Sequence, residues 1–148
     1  MTKHFEYISN SYEDTLKIAS EFAKTLKKGD VVTLNGDLGA GKTAFTSGVV
    51  SALGSNDRVQ SPTFTIVNEY RHGSIPVFHF DVYRILDSDE MYDIGFDDYI
   101  FGEGVCIIEW AENISDIIDF DRYEVNILKS PDISDDYRKI TVNFKKGR

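Results

Sequence analysis

Eight residues constrain this chain more than any other stretch. The segment Gly-Asp-Leu-Gly-Ala-Gly-Lys-Thr, residues 36–43, directly follows the mostly apolar run Val-Val-Thr-Leu at 31–34. It fits the pattern of a phosphate-binding loop (P-loop), in which a glycine-rich turn joins a buried strand to a helix. A helix is predicted over residues 42–53, and Gly54 suits its end. The order of strand, glycine loop and helix therefore predicts a P-loop domain.

The residue types of this loop match the chemistry of a bound triphosphate. Glycines let the backbone turn so that its N–H groups, backed by a helix N-terminus, face the phosphate oxygens. Lys42 adds a positive charge, and Thr43 offers a hydroxyl to Mg²⁺. No Asn-Lys-x-Asp motif for reading guanine is present, which favours ATP or ADP with Mg²⁺ as the cofactors. The predicted nucleotide contacts are Ser11, Gly36, Asp37, Leu38, Gly39, Ala40, Gly41, Lys42, Thr43, Ala44 and Trp110.

A P-loop site also needs an acid at the end of a neighbouring strand. Glu109 follows four apolar residues and is the predicted Mg²⁺ ligand together with Thr43. Asp81 ends a second such run and is predicted to order water, the metal or a nearby loop. For either acid alone, an exposed surface position is the alternative. Lys42, Asp81 and Glu109 are the candidate catalytic residues.

Strand alternation makes further predictions around these acids. It places His79, Asp81 and Tyr83 on one side of a strand, with His79 hydrogen-bonded to the site rather than ligating metal. It points Trp110 away from Glu109, either into the core or onto a stacking or partner-docking surface near the nucleotide. The base contact is open between the turn at 9–11 and residues 129–130; helix capping alone would explain Ser11.

The hydrophobic periods predict an α/β domain spanning residues 1–148. Its class is a P-loop NTPase-like three-layer domain with a mixed, mainly parallel central sheet and a late antiparallel pair. Strands are predicted at 4–9, 31–34, within 62–70, and at 75–83, 105–110, 123–129 and 138–144. Helices are predicted at 11–27, 42–53 and 87–93.

Composition limits the cellular location and the kinds of partner that we expect. The single cysteine, Cys106, lies in an apolar run and predicts a buried thiol. No apolar stretch approaches the roughly 18 residues of a membrane span, so we expect a cytoplasmic protein. Between Arg84 and Arg122 there are twelve acidic residues and no Lys, Arg or His. Such a segment argues against autonomous nucleic-acid binding, and it predicts a solvated acidic face or a contact with a basic protein.

Five segments taken together resemble one known family. They are residues 36–43, SPTF at 61–64, HFDVYR at 79–84, GFDDYI at 95–100 and IIEWAE at 107–112. In this combination the chain resembles the TsaE (YjeE) family of bacterial P-loop ATPases from about residue 5 to 128. The resemblance implies an auxiliary role in making threonylcarbamoyladenosine (t6A) on tRNAs that read codons beginning with A. It implies TsaD and TsaB as partners, with tRNA reached only through their complex.

The resemblance also implies roles for individual residues. Lys42 and Thr43 would hold phosphate and Mg²⁺, Glu109 would ligate Mg²⁺, and Asp81 and Trp110 would be functionally important. Residues 61–64 would form a mobile switch, and ATP hydrolysis, weak alone and stimulated by partners, would reset the TsaB–TsaD complex between turnovers. The sequence supports a switch independently because this hydroxyl-rich segment can order around a γ-phosphate, although the hydroxyls could instead cap their own backbone.

Two other functions fit a small P-loop domain. One is a small-molecule kinase, which usually needs a basic lid over the transferred phosphate; the acidic segment after Arg84 argues against it. The other is a nucleotide-gated binding module without catalysis. The joint presence of Lys42, Thr43, Asp81 and Glu109 favours retained hydrolysis over that module.

Overall fold

A computed structural model describes residues 4–37 and 39–147. Leu38, one of the predicted nucleotide contacts, lies outside the described residues. The strands are β1 (His4–Ser9), β2 (Val31–Gly36), β3 (Val67–Tyr70), β4 (Val77–Asp81), β5 (Val105–Glu109), β6 (Arg122–Lys129) and β7 (Arg138–Lys145). The helices are α1 (Tyr12–Ala23), α2 (Lys42–Ala52), α3 (Glu90–Asp93) and α4 (Phe96–Ile100), and a 3₁₀ segment covers Ala111–Ile117.

The strands form one mixed sheet in the order β1-β7-β6-β2-β5-β4-β3. The four central strands β6, β2, β5 and β4 are parallel to their neighbours within that group. The outer pairs β3–β4, β6–β7 and β1–β7 are antiparallel. This arrangement confirms the predicted mixed sheet with a parallel centre and a late antiparallel pair.

Side-chain alternation along the central strands builds two cores, one on each face of the sheet. On one face Val32 and Leu34 pack with apolar residues of α1 and α2, among them Phe22 and Phe45. On the other face Val31 packs with residues of α3, α4 and the 3₁₀ segment. The sheet is thus covered on both sides, which confirms the three-layer prediction.

Several helices and strands begin or end at other residues than predicted, either because a side chain bonds the backbone or because one residue leaves the regular conformation. Helix α1 ends at Ala23 rather than at residue 27; the Thr25 hydroxyl donates to the carbonyl of Phe22 at 2.8 Å. Helix α3 begins at Glu90 rather than at residue 87, because the Glu90 carboxylate accepts from the backbone amides of Leu86 and Asp87. The strand expected within 62–70 begins only at Val67, after a left-handed residue at Ile66.

The single cysteine lies inside β5. Its thiol is buried, as predicted, and burial raises the pKa of Cys106 to about 12. The thiol therefore stays protonated and unreactive at neutral pH. Within the described ranges, no helix combines the length and the apolar character needed to cross a lipid bilayer.

The packing of α1 on α2 depends on a close approach at Gly48. A Cβ atom at this position would lie 2.6 Å from Ala19 Cβ and 2.7 Å from the carbonyl oxygen of Leu16. A glycine-to-alanine change inside a helix is normally stabilising by about 0.5–1 kcal/mol. Here steric overlap across the helix pair opposes that gain.

We therefore expect Gly48→Ala to lower the free energy of unfolding by about 1–3 kcal/mol, because overpacking outweighs helix propensity. Urea denaturation followed by circular dichroism measures the change. Ser51→Ala, at an exposed position of the same helix, is the matched control and should stay within about 0.5 kcal/mol of wild type. A Gly48→Ala protein as stable as wild type would contradict this account of the helix contact.

Candidate functional site

The site lies at the carboxyl ends of three neighbouring parallel strands. Strand β2 runs into the glycine loop, while β4 ends at Asp81 and β5 ends at Glu109. Asp81 and Glu109 are register partners, and Glu109 also stands opposite Leu34 of β2. This edge is where open α/β sheets bind ligands. The two acids predicted from separate strand ends are thus brought together beside the loop.

Glycine is required in the loop for two different reasons. At Gly36 a Cβ atom would lie 2.9 Å from the carbonyl oxygen of Ile127, so the neighbouring strand leaves no room for a side chain. Gly39 and Gly41 have φ values of +80° and +107°, which only glycine adopts readily. The carbonyl of Gly41 accepts the first bond of α2, from Phe45. The helix therefore starts with its free N–H groups at the loop.

A cavity of about 700 Å³ opens over this loop. It brings together all three candidate catalytic residues, both candidate metal ligands and residues of the 61–64 segment. Its lining consists of Tyr12, Asp37, Gly39, Gly41, Lys42, Thr43, Ala44, Ser61, Thr63, Asp81, Tyr83, Glu109 and Trp110. Three of the predicted nucleotide contacts, Ser11, Gly36 and Ala40, are not part of this lining.

The Glu109 carboxylate is buried and held from two sides. Its Oε2 atom lies 2.5 Å from Nε2 of His79, and its Oε1 atom lies 3.5 Å from Nζ of Lys42. His79 is fully buried, and its Nδ1 has no hydrogen-bond partner among the described residues. The exposed-acid alternative for Glu109 is wrong, because the carboxylate faces the loop from inside the sheet.

Asp81 is the second buried acid, and it links the strand end to the 61–64 segment. Its Oδ1 atom accepts from the backbone amide of Tyr83 at 2.9 Å. The Thr63 hydroxyl approaches its Oδ2 atom at 3.5 Å and bonds the Ser61 hydroxyl at 2.8 Å. A chain of hydroxyls therefore connects the candidate switch to an acid of the cavity.

The predicted orientation of Trp110 is wrong. Strand β5 ends at Glu109, and Trp110 takes a left-handed conformation with φ +63°. The turn carries the indole back to the cavity, with its ring centre 4.7 Å from Nζ of Lys42 and 4.9 Å from the ring of Tyr83. Alternation applies only while the backbone stays extended, and here it stops one residue earlier.

Ser11 serves the helix rather than the cavity. Its hydroxyl accepts from the amide of Asp14 at 3.0 Å, which makes it the N-cap of α1. The neighbouring residue Tyr12, which we did not predict, lines the cavity instead and is 60% exposed. Its position directly after a helix cap next to a strand end was the available signal.

The acidic segment between Arg84 and Arg122 reaches both ends of the sheet. Glu109 belongs to the cavity, whereas Asp98 of α4 lines a different cavity together with Pro76 and Gly104. Those two residues precede β4 and β5, at the edge opposite the glycine loop. Asp98 of α4 therefore does not flank the cavity over the glycine loop.

The donor set can accommodate a magnesium ion only with help from a ligand. Within the described ranges, no three His, Cys, Asp or Glu side chains cluster as a ready metal site. Thr43 and Glu109 do line one cavity with the glycine loop. Mg²⁺ keeps several waters and takes phosphate oxygens, so two protein ligands beside a triphosphate are enough. The residues fit such an ion.

Comparison with known proteins identifies the family. The family model described as threonylcarbamoyl adenosine biosynthesis protein TsaE matches residues 9–140. The tRNA threonylcarbamoyladenosine biosynthesis protein TsaE of Bacillus subtilis is 45% identical over 139 residues, covering 94% of this chain and 85% of that protein. The TsaE protein of Treponema pallidum is 38% identical over 135 residues, covering 91% and 97% of the two chains.

A solved structure agrees with these sequence matches. The crystal structure of Bacillus subtilis YdiB superimposes with a TM-score of 0.78 at 40% identity, covering 97% of this chain and 86% of that one. The family model spans most of the chain, and two relatives exceed 30% identity over nearly its full length. The chain belongs to the TsaE family.

Proposed function

We propose that this protein binds ATP and hydrolyses it slowly as an accessory factor for t6A modification of tRNA. It acts on the TsaB–TsaD complex and resets that complex between turnovers. The observation that carries the proposal is one cavity that joins the glycine loop, Lys42 and Thr43 to the two buried acids Asp81 and Glu109. Membership in the TsaE family supports the t6A role.

Nucleotide binding is assigned to the loop and the first turn of α2. The free backbone N–H groups at the start of that helix are donors for phosphate oxygens. Lys42 supplies the positive charge, and its side chain is only 10% exposed, which strengthens its attraction for phosphate. Tyr12 and Trp110 offer aromatic surface at the same cavity. The base would be held at the edge of the cavity, beside the start of α1.

Hydrolysis is assigned to Mg²⁺ together with Asp81 and Glu109. Thr43 and Glu109 would hold the ion, which supplies charge neutralisation at the phosphates when bound. Asp81, whose Oδ2 atom lies 3.5 Å from the Thr63 hydroxyl, would orient the water or the switch segment. His79 is committed to Glu109 and sealed from solvent, so it is not placed to activate a water. We therefore expect slow turnover by the isolated protein.

Coupling to the partners is assigned to the segment 61–64. It touches Asp81 inside the cavity through Thr63, and it presents Phe64 to solvent with 83% of its surface exposed. The Arg84 guanidinium stands 4.8 Å from the Phe64 ring. One end of this short segment thus contacts the site of phosphate chemistry while the other faces outward. A change at the γ-phosphate could reach a docked protein along this route.

The kinase alternative receives no support from the cavity. Lys42 is the only positively charged side chain among its described lining residues. A small-molecule kinase usually covers the transferred phosphate with further cations; the α4 acids lie at the other end of the sheet and neither supply nor oppose such a cover.

The binding half of the proposal rests on Lys42. We expect Lys42→Ala to weaken ATP and ADP binding in Mg²⁺ buffer by about 100-fold, because a poorly exposed charge next to the phosphates is lost. Isothermal titration calorimetry measures both affinities. Lys24→Ala removes an exposed lysine paired with Glu21 and should bind like wild type. Wild-type affinity in Lys42→Ala would refute the assigned phosphate site.

The metal assignment predicts a split between binding and hydrolysis. We expect Glu109→Gln to retain nucleotide binding within about tenfold and to lose Mg²⁺-dependent phosphate release, because a neutral amide is a poor Mg²⁺ ligand. Asp81→Asn should reduce the rate less. Glu112→Gln changes an exposed acid just beyond β5 and serves as the control. A Glu109→Gln protein with full, Mg²⁺-dependent activity would rule out the metal role.

The accessory role predicts a partner effect on the rate. Adding the TsaB–TsaD complex with tRNA should accelerate ATP consumption, since none of the described residues that line the cavity is an activated base. Co-purification with that complex in ATP and in ADP, with Lys42→Ala as control, should show that the association depends on the bound nucleotide. Equal ATPase rates with and without the partners would argue for a different role.

A further inference from the structure

The side chain of Arg138, near the C-terminal end of the sequence, donates hydrogen bonds to the glycine loop. Arg138 stands at the start of β7, about a hundred residues after the loop. Its Nε atom donates to the carbonyl of Ala40 at 2.8 Å, and its Nη2 atom donates to the carbonyl of Gly39 at 3.3 Å. Gly39 and Ala40 lie outside the helices and strands. The guanidinium therefore gives their two carbonyl oxygens hydrogen bonds that regular secondary structure does not provide.

The same guanidinium is anchored on its other side. Its Nη1 atom donates to the carbonyls of Asp135 and Tyr137, at 2.7 and 2.8 Å, in the connection between β6 and β7. A guanidinium is planar with donors in a fixed fork, so contacts on both sides fix its orientation. Because Arg138 itself pairs with Ser9 and Lys129 in the sheet, its side chain ties the glycine loop to the start of β7 and to the connection before it.

The loop needs an outside support because two of its residues are glycines with positive φ. The Ala40–Gly41 peptide group rotates about ψ of Ala40 and φ of Gly41, and glycine backbones rotate more freely than any other. The C=O and N–H of a trans peptide point in opposite directions. Rotation of this peptide would turn a carbonyl oxygen toward the phosphates and remove an N–H donor. Among the described residues, no atom outside Gly41 and its chain neighbours lies within 4 Å of where a Cβ at Gly41 would stand, so the space beside that Cα is open.

We propose that Arg138 is a positioning residue that holds the Ala40 carbonyl outward and thereby directs the Gly41 N–H into the phosphate cradle. The proposal rests on the proposed nucleotide binding, although the clamp itself is a property of the ligand-free loop. Arg138 contacts the outside of the loop and acts through the backbone. Its effect therefore depends on the geometry of the guanidinium as well as on its charge.

The test combines amide exchange of the ligand-free protein with nucleotide affinity. The variants are Arg138→Gln, Arg138→Lys and the control Lys139→Gln, whose side chain pairs with Glu6 instead. Hydrogen–deuterium exchange read by mass spectrometry compares peptides covering residues 39–45 with peptides from β6 and β7. Calorimetry with Mg²⁺-ADP gives the affinity, and thermal melts check that each variant folds.

We expect Arg138→Gln to speed exchange in the loop peptides about tenfold without changing those from β6 and β7, and to weaken Mg²⁺-ADP binding about tenfold. Arg138→Lys keeps the charge but loses the fork, so it should recover only part of both effects. Lys139→Gln should match wild type. If Arg138→Gln does not fold, Arg138→Lys carries both measurements.

Unchanged loop exchange in the Arg138 variants would overturn the proposal. Full recovery of exchange and affinity by Arg138→Lys, or equal loss in Lys139→Gln, would overturn it too, because charge alone would then explain the effect. If wild type binds no Mg²⁺-ADP, the proposed function fails, yet exchange of the ligand-free loop still decides whether Arg138 holds it.

Discussion

The buried carboxylate of Glu109 is the interaction on which the rest of the site depends. A charge at this depth is costly unless it is paired, and removing one partner of such a group typically costs about 3–5 kcal/mol. His79 of β4 and Lys42 of α2 approach its two oxygens. The carboxylate thereby joins the ends of two central strands to the first turn of the loop helix. The side chain that would hold the metal also helps to hold the elements in register.

The proposed chemistry and the proposed switch segment meet at the same end of the sheet. Asp81 stands in register with Glu109 and reaches the 61–64 segment through Thr63. Trp110 and Tyr83 close the same cavity from one side, and their rings lie in contact. In the proposed function, the phosphates therefore lie in one cavity with the metal ligand Glu109, the hydroxyls of Ser61 and Thr63, and the rings of Tyr83 and Trp110. That compactness suits the proposed role, in which a small protein acts on a larger complex.

Features that depend on neighbouring residues in the sequence were predicted well, and features that depend on individual side-chain contacts were not. The strand predicted at 4–9 has its predicted bounds, and the strand predicted at 105–110 ends one residue early at Glu109, because alternation and apolar runs are local signals. The end of α1 and the start of α3 were not, because single side chains there bond the backbone. Trp110 was misplaced for a related reason: one left-handed residue ends the strand, and no local pattern marks it.

The amino-acid sequence by itself determined the phosphate loop, the two acids after apolar runs, the layered α/β class and the family resemblance. All of these depend on residue types at short spacing in the sequence, where backbone geometry alone sets the relative positions of the side chains. Only the tertiary structure decided that His79 holds Glu109, that Tyr12 rather than Ser11 reaches the cavity, and that Arg138 clasps the loop. Those contacts join residues far apart in the chain, and strand order and register, which a single sequence does not encode locally, bring them together.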